Sequence, residues 1–599
     1  MKCTLITAAL TAVLLSACLT DGDSTIVWPA PAEDVQEGGE VRSDVDAPDD
    51  PRDIVETDDV APTDLVETEE VDIPTPGPTG MAWAWHDPAQ VEKSDPVEVQ
   101  LENITHPEGF LSGSFAHVVN CLNRLGGLEV DLREMGVDMH AVLCLFEQTA
   151  APDEEGNYLH IQAPDNMLDP DDPFAEVQVY YHMGRIHRFL TESFGFTELN
   201  RPLHAIVNAQ LGLRMDGFPR PGWMSIDNAA YLPQQSLAEI EDMLGVEPPI
   251  NEDTLIFFQG PTLDFAYDGS VVYHEYVHAA VGGERLQGMR YDEFGADMGP
   301  LALNEAHADY LPCSMTGDPV LGRWALGKLG GARDLSVPRR CPEHIMGQAH
   351  NDGRVFASAL WAIREEIGAE LTDQIVFEAM LGYHRSTGFE ESTVAVIANA
   401  AALEPSREDE VRAIFADHGL PGCTRVKPFF YAGPQFVPGR GRYQGVSFDE
   451  GAPAFVQVAL ELPVNAGGTN GEEENGATLD PIVAVTLEWE RRPDSGDDLM
   501  SLLGGEPSDI ELHLALKPGS DPILWTYEGS AVSDSHVTIP VARDDDLYEV
   551  TFGGSCLEQS EHVFQLVNQS SGQGVFGNFT RVFHREHPAD RDVASYDCP

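Results

Sequence analysis

The chain is 599 residues long and carries 101 Asp and Glu against 34 Lys and Arg, a formal net charge of −67. A molecule that negative repels the phosphate backbone of nucleic acids and anionic lipid headgroups, so neither is an expected partner. Hydrophobic residues make up 42% of the sequence, enough for folded cores, and the length exceeds what a single core organises.

At the start, Lys2 precedes an apolar run from Leu5 to Leu15 that is too short to span a bilayer as a stable helix. The run ends at Leu15-Ser16-Ala17-Cys18, which matches a lipobox, where cleavage precedes a cysteine that receives lipid. A bacterial lipoprotein signal over residues 1–18 is therefore expected. Lipid on Cys18 would hold the protein to a membrane outside the cytoplasm, at the outer membrane or cell surface; a plain secretory signal is the alternative. Residues 19–79 hold nineteen Asp and Glu against Arg42 and Arg52, with Trp28 the only aromatic. Such a segment buries too little apolar surface to offset its ordering entropy, and its like charges extend it, so it reads as a disordered acidic tether. Calcium binding would suit its charge, but no Asp-x-Asp-x-Asp-Gly loop supports a structural Ca2+.

Residues 80–599 still carry 82 acids against 31 Lys and Arg, and about three folded units are expected. Over 80–175, apolar stretches such as Ala141–Phe146 alternate with turns rich in Asp, Pro and Gly, which predicts a small N-terminal α+β unit of propeptide-like character. A second unit is expected over 176–421. Its first helix follows the 3.6-residue pattern to Phe194; His182 and His187 on it are five apart, poorly placed to share a metal, and read as core-edge or surface groups. On spacing alone Asn228-Ala229-Ala230-Tyr231 is compatible with an ordinary turn before a strand, and Thr254–Phe258 reads as a buried strand.

The densest chemistry lies in Tyr273-His274-Glu275-Tyr276-Val277-His278. Residues four apart share a helical face, so His274 and His278 can aim their imidazoles at one zinc ion. Glu275, beside the first ligand, cannot share that point and is placed to take a proton from a zinc-bound water. Gly282-Gly283 then stop the helix. Further along, Asn304-Glu305-Ala306-His307-Ala308-Asp309 predicts a second helix. A catalytic zinc keeps three protein ligands and one open position, and Glu305 can be the third ligand. Asp309, one turn later, can hold a ligand histidine through its other ring nitrogen. The plainer alternative is two unrelated helices with ordinary polar faces.

The two motifs together resemble those of the thermolysin and fungalysin families of zinc metallopeptidases, HExxH followed by an (N/G)E-x-x-x-D helix. Asn304-Glu305-Ala306 with Asp309 is close to the thermolysin version, whereas the longer gap and the Tyr after His274-Glu275 lean towards fungalysin. The resemblance covers roughly residues 228–362. It implies an endopeptidase acting on polypeptide substrates with one catalytic Zn2+ held by His274, His278 and Glu305, Glu275 as general base and Asp309 orienting His274. It implies further that Asn228 and Ala229 lie on the sheet edge that binds extended substrate. His350, in a His-x-x-(S/G) turn before the apolar run Val355–Trp361, would donate to the oxyanion, with Tyr291 a further candidate whose loop aligns with neither family. Two other readings stay open. One is another zinc hydrolase such as an aminopeptidase, against which stands the absence of a Gly-Ala-Met-Glu-Asn segment. The other is an inactive surface lipoprotein, an adhesin or scaffold, on a peptidase fold.

From 422 to 599 short alternating or β-branched runs such as Val483–Trp489 and Ile510–Leu516, punctuated by Gly, Pro, Ser and Asp, predict an antiparallel β-sandwich. The expected architecture is thus multidomain α+β, in which a thermolysin-like zinc peptidase domain with a mainly helical second half lies between the N-terminal unit and the sandwich. Seven cysteines follow Cys18, and pairing of sequence neighbours would give Cys121–Cys144, Cys313–Cys341 and Cys556–Cys598, leaving Cys423 odd. The oligomeric state is left open by the sequence.

Overall fold

The computed structural model describes residues 78–131, 140–215, 220–237, 250–431 and, in shorter stretches, most of 433–587. The lipobox with Cys18 and nearly all of the acidic tether lie outside the described residues, as does Cys598. The protein is a mixed α/β structure of several helices and several sheets. Among the described residues no helix is long and apolar enough to cross a membrane.

After a hairpin of β1 (Gly80–Ala84) and β2 (Val97–Leu101), the chain builds a seven-stranded sheet. Its members are β3 (Ala116–Asp131), β4 (His140–Glu147), β5 (Leu203–Ala209), β6 (Leu211–Arg214), β7 (Gly222–Met224), β8 (Ala229–Leu232) and β9 (Thr254–Phe258). The spatial order is β7-β6-β4-β3-β5-β9-β8; β3–β5 and β5–β9 are parallel and the remaining pairs antiparallel. Successive strand residues point to opposite faces. Accordingly Val118, Ala205, Val207, Leu255 and Phe257 join the main core, while Val119 and Ile206 lie on the other face, where an irregularity in the β5–β9 pairing between Ile206 and Ala209 also brings Ala209.

This sheet overturns the separate N-terminal unit. β3 and β4 fall between 80 and 175, yet Ala116 pairs with Leu203 and Ala141 with Leu213, so backbone hydrogen bonds cross the expected boundary. The apolar runs of this region are inner strands of a larger sheet, and exposing them as a free unit would strand their peptide groups.

The longer helices among the described residues lie over the main core. They are α1 (Phe174–Phe194), α2 (Gly269–Val281), α3 (Gly299–Thr316), α4 (Ala349–Ile367), α5 (Ala369–Leu381), α6 (Phe389–Leu403) and α7 (Glu408–Asp417). Asp268 caps α2, its carboxylate accepting from the Ser270 N–H, and Gly282 at φ 80° ends it. Every residue of α2 is buried. His182 of α1 is no edge group: it is fully buried, its Nδ1 is 2.5 Å from the Tyr273 hydroxyl, and a Cβ on Gly269 would lie 2.3 Å from its ring. His187 is half-buried against Asn200, at 2.8 Å.

From 426 onward two sheets enclose one core to which Val458, Leu460, Leu487, Trp489, Leu514 and Phe564 all contribute. Pairing is antiparallel except between Val426–Pro428 and Gln457–Glu461, which run parallel. Phe455 and Val456 belong instead to the main core, so the C-terminal sheets are keyed into the helical part.

The Cys121–Cys144 disulfide is present, joining β3 and β4. Cys341 bonds to Cys423, against the expected pairing, and Cys313 is a free thiol buried within α3. The chain returns to Cys341 after α7, where the Cys341 N–H donates to the His418 carbonyl at 3.0 Å. For Cys341, unlike Cys121, the neighbour in sequence is therefore not the neighbour in space. Cys556 is disulfide-bonded, and its expected partner Cys598 lies outside the described residues.

Candidate metal centre

On α2 the one-turn spacing of His274 and His278 places their Nε2 atoms 3.1 Å apart. α3 brings Glu305 to them, with Oε2 3.3 Å from His274 Nε2 and Oε1 3.7 Å from His278 Nε2. The far side of each ring is also held. His274 Nδ1 is 3.1 Å from Asp309 Oδ1, and His278 Nδ1 is 2.7 Å from Asn304 Oδ1. Both Nδ1 atoms face oxygen acceptors, so the ring protons belong there and both Nε2 lone pairs point into the gap they share with a carboxylate.

Three electron-pair donors turned on one another are repulsive unless a cation lies between them. Ligand atoms about 2.0–2.1 Å from a tetrahedral ion stand about 3.4 Å from one another. The 3.1 Å between the two nitrogens and the 3.3 Å from His274 to Glu305 Oε2 are close to that value, with the other carboxylate oxygen 3.7 Å from His278. His274, His278 and Glu305 form a buried group able to hold a metal ion. Burial alone would raise the Glu305 carboxyl, but His350, His278 and His274, when protonated, outweigh it and hold the group well below the usual carboxylate range.

Two further residues reach the cluster. His350 stands in the first turn of α4 with Nε2 3.3 Å from Glu305 Oε2. Gln348 caps that helix by accepting from the Asn351 N–H at 2.7 Å, and its amide nitrogen lies 3.0 Å from His350 Nδ1. With Nδ1 accepting, the His350 proton sits on Nε2, the nitrogen facing the centre. Close approach of α4 depends on Gly353, where a Cβ would fall 2.5 Å from the Ala302 carbonyl and 3.1 Å from Glu305 Cβ. Arg333, buried on a two-residue strand, lies 3.0 Å from Asp309 Oδ1 and 3.7 Å from Glu305 Oε2. The sequence reading missed it, because Arg333 belongs to no motif and sits on no periodic segment.

Glu275 is buried beside His274 and lines a cavity with Ala229, Arg333, Val271, Leu321 and Leu326. Ala229 opens β8, and among the described residues β8 is the outermost strand of its sheet. Asn228 is buried, with its side-chain oxygen accepting from the Ala229 N–H at 2.9 Å, so its amide turns back on its own backbone. Tyr291 lies on a hairpin of β10 (Arg290–Asp292) and β11 (Gly295–Asp297), and it packs both against the main core and against the Ala515, Ile523 and Trp525 cluster of the C-terminal sheets. The structure thus brings together His274, His278, Glu275, Glu305, Asp309, His350 and Ala229, while Tyr291 has the surroundings of an inter-sheet contact.

The arrangement is a buried nitrogen–oxygen group able to hold a metal ion, with the Glu275 carboxyl beside His274 and the His350 ring beside Glu305. No protein-family model matches the chain, and no curated protein matches it in sequence.

Proposed function

We propose that the protein is an extracytoplasmic zinc-dependent endopeptidase of the thermolysin and fungalysin type. The observation that carries this reading is the convergence of His274, His278 and Glu305, with Glu275 beside them in the cavity lined by Ala229. Two histidines and a glutamate are a ligand set suited to catalytic zinc, which keeps a fourth position for water. When bound, zinc supplies Lewis acidity, polarising an amide carbonyl and acidifying water.

The chain's own residues supply the rest. Glu275 takes the proton of the attacking water and delivers it to the amine nitrogen as the C–N bond breaks. His350 donates from Nε2 to the carbonyl oxygen as negative charge builds there. Asp309 keeps the His274 lone pair directed at the ion. The edge of β8 accepts an extended peptide as an added strand, next to the attacking groups. The net charge of −67 favours substrates with basic stretches.

Metal analysis of the purified protein, joined to a peptide-library digest, tests this. About one zinc per chain and internal peptide-bond cleavage that a chelator abolishes are expected; full activity in a metal-free sample would sink the reading. Lipid anchoring through Cys18 belongs to the same proposal. Cys18→Ala is expected to move the protein from the membrane to the soluble fraction, and unchanged fractionation would count against it.

A further inference from the structure

We propose that Lys427, from the first strand of the C-terminal sheets, is a positioning residue that fixes the turn carrying His350. The proposal rests on the peptidase reading for its catalytic consequence. Lys427 is 2% exposed, and its Nζ donates to the Ile345 carbonyl at 2.8 Å. That carbonyl begins the turn into α4. In the next two residues, the Met346 and Gly347 N–H groups donate to the two Asp352 carboxylate oxygens at 2.8 and 2.9 Å. Gln348 then caps the helix and touches His350 Nδ1 at 3.0 Å.

The same turn is gripped from a second side. Gly347 has φ +83°, and a Cβ there would lie 2.5 Å from Phe455 Cβ. The Phe455 carbonyl in turn accepts from Arg425 Nε at 3.1 Å, and Arg425 pairs with Asp292 at 2.6 Å. Residues 425–427 and 455 therefore close over the 345–348 turn together. An appended binding module would have no reason to send a buried ammonium into the neighbouring core. An apolar side chain of similar length would fill that space without the desolvation cost of a charge. What the lysine adds is a directed donor on the Ile345 carbonyl, with the Asp352 carboxyl as its nearby counter-charge.

The geometry thus makes the C-terminal sheets part of the catalytic unit. Lys427 acts through the turn: it holds Ile345, Asp352 holds Met346 and Gly347, and Gln348 sets the tautomer and aim of His350. No contact between Lys427 and substrate is required.

The test uses the full, zinc-loaded chain and a quenched fluorescent peptide. Lys427→Met is expected to lower kcat at least tenfold, with KM and bound zinc unchanged. In the His350→Ala background the same substitution should cost nothing further, because its effect passes through His350. Hydrogen exchange at the Met346 and Gly347 amides should accelerate, while the α2 amides keep their protection. Should Lys427→Met not fold, Lys427→Gln, which shortens the reach but keeps a polar end, is read the same way. Additive losses in the double variant, or unchanged exchange at Met346 and Gly347, would overturn the proposal. A wild-type chain that cleaves no peptide would defeat the peptidase reading instead, and the exchange measurement would still decide whether Lys427 fixes the turn.

Discussion

Asp309 Oδ1 lies between two partners, 3.1 Å from His274 Nδ1 and 3.0 Å from Arg333 Nη1. One carboxylate oxygen thus orients a metal-facing imidazole while being held itself by a guanidinium from another part of the chain. Each contact is buried, so neither is diluted by solvent.

Replacing Asp309 by Asn keeps the shape but removes the charge that both neighbours answer. The His274 ring would keep an amide oxygen as acceptor but lose the charged partner that raises its basicity, and Arg333 would lose a close counter-charge. Removing such an outer partner typically weakens metal binding by about 10–100-fold. Asp309→Asn is therefore expected to bind zinc more weakly by about that factor in chelator competition. An unchanged affinity would show that His274 needs no such support.

Glu275 has a different task, and its substitution should leave a different signature. It sits in the cavity wall, and the metal-type cluster is complete without it. Proton transfer by a placed side chain contributes about 10²–10⁴-fold to rate. Glu275→Gln should lower kcat by at least the smaller of these factors and keep the full zinc content. Parallel loss of metal would mean that Glu275 is a ligand and not the base.

The contrast between these residues and Arg333 shows what the sequence made visible. His274, His278, Glu305 and Asp309 lie at one-turn spacings within two helices, and helical geometry converts such spacing directly into a shared face. Arg333 comes from a two-residue strand in a loop region, where no period carries information. Pairing of β3 with β5 joins Ala116 to Leu203, and no local pattern around either residue announces the other. The same holds for Cys341 and Cys423, which meet only because α4 to α7 fold back between them. Local elements were legible; the long-range closures that complete the site were not.

Gly353 offers a steric test of one such closure. A methyl group there would stand 2.5 Å from the Ala302 carbonyl, and backbone on a packed helix has little room to yield. Gly353→Ala should push α4 away from α3 and lengthen the 3.3 Å approach of His350 to Glu305. Overpacking of this kind costs about 1–3 kcal/mol. A lowered Tm together with a fall in kcat is expected, with zinc still bound. A variant as stable and active as the parent would mean that the two helices are not in close contact.

The last prediction concerns Glu176, a carboxyl of α1 remote in sequence from the metal-binding helices. It accepts from the Thr149 N–H at 3.0 Å, the Ala150 N–H at 3.2 Å, Asn120 Nδ2 at 3.3 Å and the Thr149 hydroxyl. Burial nevertheless pushes it up to about 7 from an ordinary 4.5, the hydrogen bonds offsetting only part of the desolvation. Between those values the folded protein keeps a proton that the unfolded chain has released. Its contribution to stability is therefore complete below about pH 4.5 and is lost as pH rises through 7. Glu176→Gln removes this titration, whereas Asp172 and Asp352, also raised by burial, titrate in both proteins and cancel in the difference. At roughly 1.4 kcal/mol per pH unit, the stability of the wild type relative to Glu176→Gln should fall by about 3 kcal/mol across the window. Denaturant unfolding at a series of pH values between about 4 and 8 measures it. A difference that stays flat would mean that Glu176 is ionised in the folded protein, its four donors sufficient to hold the charge in the core.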